Sequence, residues 1–322
     1  MTAQRIIFMG TAELSCASLR ALLASPDFQV IAAVTQPDKP KGRDLKLQPS
    51  PVKQLALDRG LQVLQPERAR DEEFIQQLRA LQPDLIAVTA YGQILPRSIL
   101  DLPRFGCINV HTSLLPKYRG AAPIQWAILN DEAETGVTIM KMDAGLDTGD
   151  ILADEKAPIA AEDTSETLHH SLAEIGAQLL VRTIPDYVAG KIQPRPQPSE
   201  GATYAPKIKK EDGRLDWNQS ARALWNRVRG LTPWPVAFSF LSGQTERSLL
   251  KIWQAEVVPA SGPAGEILQA DKADILVGCG RDALRILILQ REGGRRLSAQ
   301  EFLAGHNLRP GQKLASHQSP IR

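Results

Sequence analysis

Short apolar runs rich in β-branched residues alternate with stretches of helical spacing along the first 190 residues of the chain. Such runs, bounded by polar turns, predict buried strands, whereas apolar positions recurring every three to four residues predict amphipathic helices. The predicted strands cover residues 6–9, 30–34, 85–89, 107–110 and 137–142, and the predicted helices cover residues 14–23, 51–58, 72–81, 124–129 and 165–189. This alternation is typical of an α/β domain with a doubly wound, Rossmann-like, mostly parallel sheet.

The pattern changes after residue 190. Proline occupies every second position from 194 to 198, and proline suits neither a helix interior nor an inner strand, so an extended, semi-rigid linker is expected. A helix is then predicted over residues 219–230, followed by five short strands over residues 236–241, 248–258, 264–268, 275–279 and 284–290. Five such strands with glycine- or proline-marked turns predict a small OB-like β-barrel.

These patterns divide the chain into a first domain in residues 1–190, a linker in residues 191–208 and a C-terminal domain in residues 209–322. Hydrophobic residues make up 43% of the chain, yet no apolar run approaches the ~18 residues that predict a membrane span, and the N-terminus lacks a signal-peptide pattern. We therefore expect a cytoplasmic protein.

The three cysteines of the chain are widely spaced and form no C-x-x-C pair. This spacing argues against both a disulfide framework and a zinc site, so Cys16, Cys107 and Cys279 are expected to be small core residues.

Charge is divided unevenly between the two parts of the chain. Residues 1–190 carry 18 Lys and Arg against 24 Asp and Glu, a net charge of −6, whereas residues 191–322 carry 20 against 12, a net charge of +8. Concentrated Lys and Arg neutralise phosphates and release counterions, so the C-terminal part is expected to meet a polyanion such as a nucleic acid. A basic surface without a specific partner would show the same charge.

Two polar side chains close the fourth predicted strand. Asn109 and His111 are two positions apart, so in a strand both point to one face, roughly 6.6 Å apart, and can bracket a small polar ligand atom such as a carbonyl oxygen. Ligands of doubly wound sheets bind at the carboxyl ends of the strands, where this pair lies. A polar pair at a strand end can also serve only as a loop anchor.

The segment after the first predicted strand does not fit a dinucleotide-binding site. The segment Gly10-Thr11-Ala12-Glu13 lacks the second and third glycines of G-x-G-x-x-G. Glu13 also places a carboxylate where a pyrophosphate would otherwise meet the helix N-terminus.

A glycine-bracketed acidic loop follows the fifth predicted strand. Asp147 is its best candidate for a functional carboxylate, whereas Asp143 and Asp150 are expected to cap the turn. The spacing lacks the ending of a calcium-binding loop, and His111 is the only nearby histidine candidate, so no metal is expected.

These residues belong to a longer ordered series of motifs. The series contains Asn109-Val110-His111-x-Ser-Leu-Leu-Pro, Arg119-Gly120-x-x-Pro123, Asp147 within Gly-Leu-Asp-Thr-Gly, Thr35-Gln36-Pro37-Asp38, Ala90-Tyr91-Gly92 and Pro233-Trp234-Pro235. It resembles the signature of the folate-dependent formyltransferases, and most closely the branch that formylates the methionine carried by initiator tRNA. The likeness runs nearly from end to end of the chain.

The resemblance implies that residues 1–190 are catalytic and transfer the formyl group of 10-formyltetrahydrofolate, a co-substrate, to the α-amino group of methionyl initiator tRNA. It implies neither a metal nor a covalent enzyme intermediate. Attack of an amine on a formyl carbonyl creates a tetrahedral oxyanion, for which the Asn109 amide and the His111 imidazole are suitable donors. Asp147 would orient and charge the imidazole and help to accept the amine proton.

The resemblance assigns folate binding to the segment Ser113, Leu114, Leu115 and Pro116. A backbone turn beside apolar side chains suits a flat pterin. Further candidates for the wall around the pterin are Ile94, Leu95 and Pro96, although an apolar run after a strand also serves as plain core.

Residues 35–49 form a long polar loop after the second predicted strand, and such loops are usually functional or disordered. In the family the matching loop enters the tRNA acceptor stem. The resemblance therefore gives the main tRNA contact to Arg43, with Lys39 and Lys41 beside it. Further phosphate contacts are expected from Lys207, Lys209, Lys210 and Arg247. The partners expected are aminoacylated initiator tRNA and the folate, with no membrane, for a chain acting as a monomer.

Three other interpretations fit part of the pattern. A glycinamide ribonucleotide formyltransferase resembles only the first domain and needs a phosphate-binding loop that is absent at residues 10–13. A sugar-nucleotide formyltransferase shares the first domain and a similar second one, and the basic C-terminal part argues against it. An RNA-binding module with an inactive α/β domain would bind tRNA without needing Asn109, His111 or Asp147.

Overall fold

The computed structural model describes residues 3–41, 46–242, 247–271 and 274–316. Contacts divide the chain into two compact units, the first formed by residues 1–123, 134–158 and 169–205, and the second by residues 124–133, 159–168 and 206–322. Residues 191–205 of the segment predicted as a linker are part of the first unit. Backbone hydrogen bonds hold it there, including a pair between Arg195 and Ile151.

The secondary structure elements follow in chain order. Up to residue 205 they are β1 (Gln4–Gly10), α1 (Glu13–Ala24), β2 (Phe28–Val34), β3 (Lys39–Lys41), β4 (Lys46–Gln48), α2 (Pro51–Asp58), β5 (Val63–Leu64), α3 (Glu72–Ala80), β6 (Leu85–Thr89), α4 (Arg97–Leu100), β7 (Cys107–His111), β8 (Arg119–Gly120), α5 (Pro123–Leu129), β9 (Glu134–Lys141), β10 (Ile151–Pro158), α6 (Ser165–Val188) and β11 (Tyr204–Ala205). Beyond it they are a 3-10 turn (Lys210–Gly213), α7 (Ala221–Gly230), β12 (Ala237–Ser242), β13 (Arg247–Val258), β14 (Ile267–Asp271), β15 (Asp274–Gly278), β16 (Ala283–Arg291), β17 (Leu297–Ser298), α8 (Ala299–Gly305) and β18 (Leu314–Ala315). Every strand and helix predicted from the apolar pattern overlaps one of these elements.

The main sheet of the first unit has the strand order β10-β9-β7-β6-β1-β2-β5. The strands from β7 to β5 pair in parallel, whereas β9 is antiparallel to β7 and β10 is antiparallel to β9. The prediction of a doubly wound, mostly parallel sheet is confirmed.

Both faces of the central strands are covered. Every residue of β6 and β7 is buried, as expected for parallel strands between two layers of helices. Cys107 packs with Phe74 of α3 and Ile99 of α4 on one face, and Val110 points to the opposite face, toward Gly176 of α6. Because side chains alternate along a strand, Asn109 and His111 share the face of Cys107.

The close approach of α6 to the sheet depends on Gly176. A Cβ at this position would lie 2.7 Å from Cγ1 of Val110, closer than side chains pack. We expect Gly176→Leu to lower the free energy of unfolding by about 1–3 kcal/mol, because the added atoms overpack the core. Denaturant unfolding measures this loss, and Gln178→Leu, exposed on the same helix, is the matched control. Equal stabilities of the two variants would contradict the expected overpacking.

The second unit is built on an antiparallel sheet of order β14-β15-β16-β13-β12-β18, with β17 paired to β16. The long strand β13 pairs with β12 and with β16, and its register with β16 shifts twice between Ile252 and Ala255. Such irregularities bend a strand and curl its sheet. This curled antiparallel sheet confirms the OB-like prediction.

The three cysteines are buried, as predicted. Burial raises the pKa of Cys16 to about 11 and the pKa values of Cys107 and Cys279 to about 12. Thiols kept protonated are poor nucleophiles and poor metal ligands, so all three act as small core side chains. Within the described ranges, no helix is long and apolar enough to cross a membrane, and no group of three or more His, Cys, Asp or Glu residues could hold a metal.

Candidate active site

Asn109 and His111 lie on one face of β7, with 9% and 6% of their surfaces exposed. Asn109 lies in the middle of the sheet, opposite Val88 of β6 and Met140 of β9. Nearly buried amides are usually hydrogen-bonded. In the part of the chain that the structure describes, however, no group bonds to the Asn109 side chain. The amide is therefore free to bind a ligand.

The imidazole of His111 is held between a backbone oxygen and a carboxylate. Its Nε2 lies 2.9 Å from the oxygen of Tyr118, and because a carbonyl only accepts, this hydrogen bond assigns a proton to Nε2. Its Nδ1 faces Asp147, whose Oδ2 is 3.8 Å away. In a neutral ring, Nδ1 therefore has a free lone pair, and after protonation it can donate beside a balancing negative charge.

Asp147 reaches His111 by an indirect route. Because β9 runs antiparallel to β7, the loop after β9 begins beside Cys107, whose oxygen accepts from the N–H of Met142 at 2.8 Å. The loop then returns toward the end of β7, where the Asp147 carboxylate accepts a hydrogen bond from the N–H of Gly120 at 2.8 Å. This backbone N–H and His111 thus share one carboxylate oxygen, Oδ2.

Local bonds shape this loop. Asp143 accepts hydrogen bonds from the N–H of Gly145 at 3.0 Å and from the hydroxyl of Thr148 at 2.8 Å, which confirms its predicted capping role. Asp150 contributes its backbone oxygen, which accepts from the N–H of Lys141 at 2.8 Å. Asp147 itself has a φ of +52°, a left-handed conformation that costs a non-glycine residue about 1 kcal/mol or more.

The site thus offers a free amide donor, a ring nitrogen that can accept and return a proton, and a carboxylate beside that ring. Such groups can stabilise a negative oxygen that develops on a carbonyl and can remove a proton from an attacking amine. The arrangement suits direct transfer of an acyl group from one nitrogen to another.

Comparison with known proteins agrees with this chemistry. Residues 4–184 match the family described as formyl transferase, and residues 207–307 match its C-terminal domain. The chain belongs to the formyl transferase family. A protein of Citrifermentans bemidjiense named methionyl-tRNA formyltransferase is 48% identical over 100% of this chain and 99% of its own length. A protein of the same name from Caldanaerobacter subterraneus subsp. tengcongensis is 51% identical over 96% and 99%. The prediction of a formyltransferase is confirmed.

Two solved structures share the fold of this formyl transferase. One is the N-formyltransferase from Helicobacter canadensis in complex with folinic acid and dTDP-3-aminofucose, with a TM-score of 0.63 and 18% identity over 90% of this chain and 100% of that one. The other is HypX from Aquifex aeolicus in complex with tetrahydrofolic acid, with a TM-score of 0.63 and 16% identity over 97% of this chain and 51% of that one, so this chain spans about half of HypX. At these identities the likeness shows the fold alone.

The segment predicted to bind folate in this formyl transferase follows β7 directly. Ser113 is fully buried, and its hydroxyl donates to the oxygen of Lys117 at 2.6 Å, so the side chain fixes the turn. Leu115 is buried in a small apolar cluster. Leu114 and Pro116 are half-buried. Folate binding by this segment stays a prediction, in which Leu114 and Pro116 have the accessible atoms.

The second predicted folate segment divides into core and surface. Leu95 is buried in the core cluster of the first unit, which fits the core role. Ile94 is 88% exposed, so the core role is wrong for this residue. Pro96 is half-buried at the start of α4. An isoleucine this exposed remains a predicted contact for the pterin.

The polar loop of residues 35–49 contains a short antiparallel hairpin formed by β3 and β4. Lys39 is exposed in β3, and its Nζ donates to Oε1 of Gln36 at 2.5 Å. Arg43, the predicted main tRNA contact, lies outside the described residues, and so does the side chain of Lys41.

The remaining predicted tRNA contacts lie after β11. Lys207, Lys209 and Lys210 are all exposed there. Arg247 begins β13, but its side chain is outside the described residues. Their contacts with tRNA stay predictions.

Three further residues build the site, and none of them was predicted from the sequence. Arg119 is buried and its guanidinium binds Gln197, which in turn binds the loop of Asp147. The hydroxyl of Thr203 accepts a hydrogen bond from the N–H of Tyr118 at 2.9 Å. Arg119 belongs to a motif of the predicted family but had no predicted role, and Gln197 lies between two prolines. The sequence shows both residues but not the hydrogen bonds between their side chains.

Proposed function

We propose that this chain transfers the formyl group of 10-formyltetrahydrofolate to the α-amino group of methionyl initiator tRNA. The observation that carries the proposal is the free, nearly buried amide of Asn109 on the face of β7 that also holds His111, itself beside Asp147. The chain would act in the cytoplasm, as a monomer and without a metal. The proposal is supported by the chemistry of the site and by the relatives that match the whole chain.

The proposed reaction is a direct transfer. The neutral amine attacks the formyl carbon, a new C–N bond forms, and the carbonyl oxygen becomes an oxyanion that the Asn109 amide stabilises. Nδ1 of His111 takes the proton that leaves the amine, and Asp147 balances the resulting charge. Collapse of the intermediate breaks the bond to N10 of the folate, and N10 leaves with the proton that Nδ1 of His111 returns.

The choice of acceptor rests on two observations. Proteins named methionyl-tRNA formyltransferase match nearly all of this chain at 48% and 51% identity, whereas the N-formyltransferase solved with dTDP-3-aminofucose is only 18% identical. The second is the net charge of +8 on residues 191–322, which suits a phosphate-rich acceptor better than a small sugar nucleotide.

One assay tests the proposal. The protein is incubated with 10-formyltetrahydrofolate and methionyl initiator tRNA, and the formylated aminoacyl-tRNA is measured after acid gel separation. Parallel reactions contain methionyl elongator tRNA or an amino-sugar nucleotide. Product from initiator tRNA alone supports the proposal. Product from the sugar nucleotide alone would instead support a sugar-nucleotide formyltransferase. Binding of tRNA without any product would support an RNA-binding module with an inactive α/β domain.

Arg43→Ala is expected to raise the KM for methionyl initiator tRNA about 10- to 100-fold, the effect of losing one charge-assisted contact to phosphate. The KM for 10-formyltetrahydrofolate should stay unchanged, because the proposed role of Arg43 is a contact with tRNA. Steady-state kinetics with each substrate varied in turn measure both constants. The control is Arg59→Ala, an exposed arginine after α2. Equal increases in the two constants would remove Arg43 from the tRNA contacts.

A further inference from the structure

Gln197 connects two segments of the first unit through its side-chain amide. Its Oε1 accepts two hydrogen bonds from the guanidinium of Arg119, from Nε at 3.0 Å and from Nη2 at 2.7 Å. Its Nε2 donates to the backbone oxygens of Asp147 at 2.9 Å and of Gly149 at 2.7 Å. All four hydrogen-bonding positions of this amide are therefore used within the protein.

These partners fix which way the amide points. A guanidinium only donates, so it must meet the oxygen of Gln197, and backbone oxygens only accept, so they must meet the nitrogen. Arg119 is only 8% exposed, and its fork-shaped head presents two donors in a fixed geometry. Gln197 is thereby held rigid from one side while it holds the loop of Asp147 from the other.

The backbone around Gln197 is fixed as well. Arg195, two residues before it, exchanges two backbone hydrogen bonds with Ile151, at 2.8 and 2.9 Å. Further along, β11 pairs in parallel with β8, the strand formed by Arg119 and Gly120. The segment thus starts at the end of the acidic loop and finishes beside the residue whose N–H binds the Asp147 carboxylate.

Asp147 needs such support. Its left-handed backbone is unfavourable for a residue with a side chain and persists only where the surroundings hold it. Gly120 holds the carboxylate, Gln197 holds the backbone oxygen, and Arg119 precedes Gly120 in β8 and also holds Gln197. Arg119 and Gly120, adjacent in β8, therefore support both the backbone of Asp147, through Gln197, and its carboxylate.

We propose that Arg119 and Gln197 are positioning residues that set the distance between Asp147 and His111. This inference rests on the proposed function, because it gives Asp147 its role beside the imidazole. The hydrogen bonds that join both side chains are made within the protein, so each residue acts through the placement of the carboxylate. A displacement of about 1 Å in a reacting group can cost about 100-fold in rate.

Gln197→Ala is therefore expected to lower kcat about 10- to 100-fold while the KM values for folate and tRNA change little. Gln197→Glu should be at least as slow, because its carboxylate keeps the bond with Arg119 but repels the two backbone oxygens. Gln193→Ala is the matched control: an exposed glutamine of the same segment whose side chain bonds, among the described residues, only to the oxygen of Gly190, at 3.3 Å.

Two measurements separate positioning from a general loss of structure. Hydrogen exchange followed by mass spectrometry should show faster amide exchange of residues 143–150 in Gln197→Ala than in Gln193→Ala, with exchange in the main sheet unchanged. Adding Gln197→Ala to Asp147→Asn should lower kcat less than it does in the wild-type chain, because both changes act on the same group.

The outcomes are distinct. Unchanged exchange in residues 143–150, or kinetic effects of Gln197 and Asp147 that simply multiply, would overturn the positioning role. A wild-type chain that forms no formylated product would overturn the proposed function instead. The exchange measurement needs no turnover and decides in that case whether Gln197 holds the loop.

Discussion

His111→Ala is expected to lower kcat for formyl transfer about 10²- to 10⁴-fold, since the change removes the group that takes the amine proton. The hydrogen bond from Nε2 to the oxygen of Tyr118 and the approach of Nδ1 to Asp147 hold this ring in place. Single-turnover kinetics with saturating folate and charged tRNA measure the loss.

The control for this variant is His170→Ala, a histidine exposed on α6. The His111 variant must also remain folded, which circular dichroism and denaturant unfolding can establish. A folded His111→Ala protein that retains more than about a tenth of the wild-type rate would be incompatible with a proton-transfer role, because such a role is worth at least about 100-fold.

Asn109→Ala is expected to lower kcat about 10²- to 10³-fold, the range found when one oxyanion donor is lost. Its amide has no partner among the described residues, so truncation breaks no internal hydrogen bond, and the loss should fall on the reaction rather than on the fold. Tetrahydrofolate binding, measured by calorimetry, should remain close to that of the wild-type chain, because the donor acts on the transition state.

Val110→Ala provides the matched control for Asn109. Val110 is the next residue of the same strand, points to the opposite face toward α6, and is buried. Its truncation should cost stability, because it leaves a cavity, with little effect on the rate of the folded protein. If the two variants lose stability alike and activity alike, Asn109 has no special role in the reaction.

The fold of the first unit was predictable because its central strands are short, mainly apolar runs. β6 and β7 are buried on both faces, and such runs stand out against the helices that separate them. β10 was missed for the opposite reason. It lies at the edge of the sheet, and Asp154, Glu155 and Lys156 give it a polar sequence that resembles a loop.

The candidate site was predictable only in part. Asn109 and His111 are separated by one residue, so local strand geometry was enough to place them together. Asp147 was chosen from its loop, but its arrival at His111 depends on the antiparallel direction of β9, which no local pattern reveals. Arg119 and Gln197 meet across 78 positions of sequence, and such a contact cannot be read from either residue alone.

The segment that contains Gln197 bears on where the chain can be shortened or joined to another protein. The first family match ends at residue 184 and the second begins at residue 207. A chimera that exchanges domains between relatives would naturally be joined between these two positions. A cut there before Gln197 would remove both the amide that binds the Asp147 loop and strand β11, while leaving Asn109, His111 and Asp147 in place. We expect a chimera joined after Ala205 to keep the geometry of the site, and one joined after residue 190 to lose it unless its new partner supplies an equivalent glutamine.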